Sequence, residues 1–78
     1  MPRYFFHIKD GDELTADYEG GDYSDLEEAR HEAIEAARQI MSWAVRDGKR
    51  PNGQTFVISD EAGIIRLEFP FKDAFNLN

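Results

Sequence analysis

The sequence predicts an α+β domain of order β-β-α-β-β, a four-stranded antiparallel sheet with one long helix packed on one face. Three observations predict it. Residues 24–47 carry the capping signals and apolar periodicity of a single long helix. The runs on either side of it alternate apolar and polar residues as half-buried strands do. Turn signals at Asp10-Gly11 and at Asp60-Glu61-Ala62-Gly63 fold the flanking runs into two hairpins.

The first strand is Arg3 to Lys9. Tyr4, Phe6 and Ile8 share the face expected to meet the helix, and Phe5 and His7 share the other with Arg3 and Lys9. Glu13 to Tyr18 returns as a short acidic strand with Leu14, Ala16 and Tyr18 on one side, followed by the loop Glu19-Gly20-Gly21-Asp22. The helix opens on Ser24 with Glu27 as a capping box, and Asp25, Glu27 and Glu28 place negative charge where the helix dipole favours it. Leu26, Ala29, Ala33, Ala36, Ala37, Ile40 and Ala44 form one stripe, widened by Ile34, Met41, Val45 and Trp43. Its alanines let the axis approach a sheet closely. Gly48 stands where a left-handed C-terminal cap belongs.

After a polar connection over residues 47–53, Gln54 to Ser59 is the third strand, with Phe56 and Ile58 inward and Val57 outward. Ile64 to Phe69 is the fourth, with Ile65, Leu67 and Phe69 inward and Ile64, Arg66 and Glu68 outward. Pro70 ends its ladder or marks an edge. Phe71 to Phe75 forms a last turn that lays an aromatic ring over the helix end, and Asn76 to Asn78 frays. Sheet orders 2-1-3-4 and 1-2-4-3 both satisfy these directions. The first is preferred because strands 1 and 3 are the most apolar. The expected core is Phe6, Leu26, Ala33, Ile40, Phe56, Ile58, Leu67 and Phe69.

The 78 residues make one small domain, 1–78. The chain has no cysteine, which fits a cytoplasmic location and leaves no thiolate metal site. No signal peptide and no membrane span is expected. The net charge of −7 opposes binding to phosphates and to anionic membranes and suits docking to a basic partner.

Pieces of the chain carry a family likeness: Arg3-Tyr4-Phe5-Phe6-His7, Asp10-Gly11, Leu26-Glu27-Glu28-Ala29, Asp60-Glu61-Ala62-Gly63, Pro70-Phe71 and Asp73-Ala74. In that order they resemble a family of small alphaproteobacterial proteins classed as a domain of unknown function. The family has no established activity to transfer. The chain departs from it at Tyr23 and in the acidic segment Asp17-Tyr18-Glu19. A looser set, Asp10-Gly11, Leu26 to Ala29 and Asp47-Gly48 to Pro51, is similar to HicB-type antitoxin domains, which bind and block a partner toxin. Those domains usually add a strand before the helix, and often a DNA-binding segment, for which this chain has no room.

No motif stands out as catalytic. His7 and His31, with Glu35 one turn from His31, are too few ligands for a metal centre. The acids of residues 10–22 lack the glycine and glutamate that a calcium loop requires at its sixth and twelfth positions. Lys49, Arg50 and Arg46 complement the helix C-terminus. Ser24 and Ser59 are a cap and a strand end. Neither an enzyme nor a cofactor is therefore expected. What remains is the sheet face away from the helix, with Phe5, His7, Val57 and Ile64, as a surface for a protein partner or for self-association. The rival readings are an antitoxin-like protein and a nucleic-acid binder.

Overall fold

A computed structural model of the chain describes residues 2–48 and 53–75. Lys49 and Arg50 of the basic cluster, and the tail Asn76 to Asn78, lie outside the described residues. Among the described residues, five strands, one α-helix and a closing 3-10 turn run in the order β1 (Arg3–Asp10), β2 (Glu13–Thr15), β3 (Gly21–Asp22), α1 (Leu26–Arg46), β4 (Gln54–Ser59), β5 (Ile65–Pro70) and Phe71–Phe75. All pairings are antiparallel, and the sheet runs β2-β1-β4-β5 with β3 beside the start of β1. This is the preferred order, with the two most apolar strands in the middle.

The first hairpin pairs Asp10 with Glu13, so its loop is Gly11-Asp12. Gly11 has φ +63° and fills the first central position of a type II′ turn, where a residue without a Cβ is needed. The second hairpin is held by Asp60. Its Oδ1 accepts from the amides of Ala62 and Ile64 at 2.9 and 3.0 Å, and its Oδ2 from Arg66 Nε at 2.8 Å. Arg66 foremost, with those amides, holds the Asp60 carboxyl below the ordinary aspartate range.

The helix begins one residue later than the capping box suggests. Asp25, not Ser24, is the N-cap: its extended backbone aims the carboxylate at the amide of Glu28, 2.8 Å away. Ser24 donates instead to the Glu28 carboxylate at 2.6 Å. At the far end Gly48, with φ +77°, donates its amide to the Val45 carbonyl. Ala29, Ala33, Ile34, Ala37 and Met41 are buried against Tyr4, Phe56, Ile58, Phe69, Phe71 and Ala74. Phe6, Leu26, Ile40 and Leu67, expected in the core, pack against it only partly buried. Trp43 and Val45, expected to widen the stripe on its two sides, are exposed.

The closing turn completes the core. Phe71 is fully buried, with its ring 4.6 Å from that of Phe56, and Arg38 Nε donates to the Ala74 carbonyl at 2.8 Å. Tyr23 leads into the helix over Phe6, with ring centroids 5.5 Å apart and planes within 19°. Burial, with the carboxylates of Glu32, Asp17 and Glu28, pushes the Tyr23 phenol up.

Two departures from simple alternation shape the rest. Ile58 pairs with Leu67, but Ser59 pairs with Ile65, so Arg66 is an extra residue in β5. Such a bulge reverses the sides taken by the residues beyond it. Ile65, expected inward, therefore stands on the face away from the helix. Arg66, expected outward, lines a groove at the end of the sheet with Arg3, Tyr4, Leu26 and Asp60. The second departure is in the second strand, expected to run to Tyr18. It stops at Thr15, and the chain resumes pairing with β1 only at Gly21. The five residues between form a strap.

Candidate functional site

Register fixes which side chains share the far face. Directly paired residues lie on the same side of a sheet, and neighbours along a strand on opposite sides. Since Phe6, Ile8, Phe56 and Ile58 pack toward the helix, the far face carries three rows: Leu14, Lys9, Thr55 and Pro70; then His7, Val57 and Glu68; then Phe5, Ser59 and Ile65.

The strap covers one half of this face. Its anchor is Asp17. One carboxylate oxygen accepts from the Phe6 amide at 3.0 Å, and the other accepts from Glu19 and Gly20 at 3.2 and 3.1 Å. Burial pushes the Asp17 carboxyl up, but the amides of Phe6, Gly20 and Glu19, helped by His7, outweigh it and leave the group below its ordinary value. The Asp17 amide donates to His7 Nδ1 at 3.0 Å, and on the other side of the ring Nε2 lies 3.0 Å from Ser59 Oγ. Gly20 sits against the Phe5 ring. A Cβ there would fall 2.8 Å from the Tyr4 carbonyl oxygen and 2.9 Å from two ring carbons, and φ is +68°. The rings of Phe5 and His7 are nearly parallel, 6.5 Å apart.

A serine, a histidine and an aspartate in line invite comparison with a nucleophile and its base. The donors decide against it. Because an amide donates to Nδ1, the neutral ring carries its proton on Nε2 and donates to Ser59. A general base needs the reverse, a free Nε2 lone pair accepting from the hydroxyl. Ser59 is also buried, at 5% exposure. The arrangement is suited to fastening the strap.

The other half of the far face is uncovered. Leu14, Val57 and Ile65 line a shallow groove of about 440 Å³ with Lys9, Gly11, Asp12, Glu13 and Glu68. Val57 is 8% exposed, but Leu14 and Ile65 are 61% and 57% exposed. Of the residues expected to form a contact surface, Phe5 and His7 are half-buried under the strap and Val57 is buried at the groove floor. Ile64 is exposed in the hairpin connection, outside the rows, and Ile65 takes the far-face position expected of it. Sequence reasoning placed Lys9, Val57 and Glu68 outward but left unassigned the face on which Leu14 stands. A two-residue loop after Asp10 pairs Lys9 with Leu14, which was the available signal.

At the opposite end of the sheet a second groove of about 410 Å³ holds Arg3 and Arg66, but each already faces a carboxylate, Asp22 at 3.2 Å and Asp60 at 2.8 Å. His31 is exposed on α1, a layer away from His7. Among the described residues, no three of His, Asp and Glu converge as metal ligands would, and no helix is long and apolar enough to cross a membrane.

A family model described as "Domain of unknown function (DUF6894)" matches residues 3–72. No curated protein and no solved structure matches the chain.

Proposed function

We propose, from the premise that this chain belongs to the DUF6894 family of domains of unknown function, that it is a cytoplasmic, non-enzymatic protein-interaction module. It acts through the sheet face turned away from α1. One observation supports this above the others: half-exposed Leu14 and Ile65 line a groove with Val57 on the half of that face that the strap leaves open. Isolated exposed aliphatics are ordinary, but three that line one groove from three strands are the kind of surface that contacts use. The His7–Ser59 geometry, which lacks a free base, favours binding over catalysis.

The test is recovery of partners from the native host on tagged wild type, Ile65→Glu and Trp43→Glu, read by mass spectrometry. Ile65→Glu should lose a protein that wild type and Trp43→Glu retain. Trp43 is exposed on α1, so equal loss in both variants would point to a general defect, and no loss in either would sink the reading. A small basic partner whose toxicity the chain neutralises would make the module antitoxin-like. Salt-dependent binding to nucleic acid through the same face would replace the reading.

A further inference from the structure

We infer that the occupant of the groove around Val57 is a basic protein surface presenting aliphatic side chains. This rests on the interaction reading above and adds the chemistry of the partner. The floor is aliphatic: Leu14 from β2, Val57 from β4 and Ile65 from β5. The rim is acidic on balance: Asp12 and Glu68 border that floor, against Lys9 alone. All three rim residues are exposed, and among the described residues none of them enters an ion pair. The carboxylates that are engaged lie elsewhere, on Arg3, Arg30, Arg38 and Arg66. Among the described residues the rim thus keeps an excess of negative charge, and the whole chain adds a field of the same sign, net −7.

Complementarity then selects the occupant. Interfaces place an apolar centre within a polar rim, and opposite rim charges steer encounter and reject wrong partners. Aliphatic residues ringed by lysine or arginine match this groove on both counts. A second copy of the chain brings another acidic rim and another −7 to the same contact. Nucleic acid and anionic lipid bring phosphates to carboxylates.

The test uses the full chain, isotope-labelled, titrated with three short peptides of alternating Lys-Val, Lys-Ser and Glu-Val and monitored by NMR. The Lys-Val peptide should shift the amides of Lys9, Leu14, Val57, Ile65 and Glu68, and bind more weakly as salt rises from about 50 to about 500 mM, where the Debye length becomes short. Ile65→Ser should weaken it about tenfold, equivalent to about 1.4 kcal/mol. Reversing the rim with Asp12→Lys and Glu68→Lys should move the preference to the Glu-Val peptide. Should that double variant unfold, Glu68→Gln alone should flatten the salt dependence. Equal binding of the Lys-Ser peptide, or shifts confined to the acidic outer face of α1, would reduce the effect to bulk charge and overturn the inference. So would sedimentation of wild type as a dimer that Ile65→Ser dissociates. Equal binding of the Glu-Val peptide at the groove would overturn the basic partner while leaving the face a contact site.

Discussion

His7 and Asp17 are bound to each other through groups that their side-chain chemistry does not advertise: the aspartate offers its backbone N–H to the ring and its carboxylate to three amides. This fixes the neutral ring with its proton on Nε2. Nitrogen-resolved NMR of His7 should show that tautomer, and a ring protonated only at Nδ1 contradicts the strap contact. The carboxylate makes a separate prediction. Its value in the folded chain lies below the ordinary 3.8, so its stabilising effect is complete above that value and fades as pH falls through the folded-state value. Asp17→Asn keeps an acceptor oxygen but no charge. The stability gap between wild type and Asp17→Asn, from urea unfolding, should therefore hold from about pH 7 to about pH 5 and shrink below about pH 4. A gap independent of pH would refute it. Gly20→Ala should cost about 1–3 kcal/mol, because it forces a side chain into a left-handed backbone position and against the Tyr4 carbonyl.

At the scale of the element, α1 and β5 each carry a feature that distinguishes close alternatives. Asp25 and Ser24 both precede a helix and both stand near glutamates, yet only Asp25 caps a backbone amide. Asp25→Ala should lower stability by about 0.5–2 kcal/mol and Ser24→Ala by clearly less. Thermal melts that rank them the other way would restore Ser24 as the cap. In the sheet, Ile58 is fully buried whereas its partner Leu67 is only partly so. Ile58→Ala should cost about 2–5 kcal/mol and Leu67→Ala less, since a rim position leaves a smaller cavity.

The whole molecule measures 37 × 30 × 17 Å. Its short dimension admits one sheet and one helix and nothing more. The helix therefore dries one face, and the strap is the chain's own partial answer for the other. Ile65 reports which face is which. If it stands on the uncovered side, Ile65→Glu leaves thermal stability within about 0.5 kcal/mol, as for an ordinary surface substitution. If it faced the helix, as plain alternation from Leu67 suggests, the buried charge would unfold the domain.

Much of this architecture was legible in the chain. Helix position, strand positions and both hairpins come from local signals, because capping, turn chemistry and period are properties of adjacent residues. The central placement of the strands beginning at Arg3 and Gln54 came from their apolar content alone. What the tertiary structure decided is how the far face is dressed. Alternation tells inside from outside only while the ladder is unbroken. The extra residue Arg66 exists only relative to a partner strand, so nothing in the run Ile64 to Phe69 announces it. The strap likewise depends on bonds from Asp17 to His7 and Phe6, ten and eleven residues earlier in the chain, and on Gly20 meeting Phe5. Those contacts form only once β1 is laid in the sheet, which is why a sequence that told the two faces of the sheet apart could not specify which half of the far face stays open.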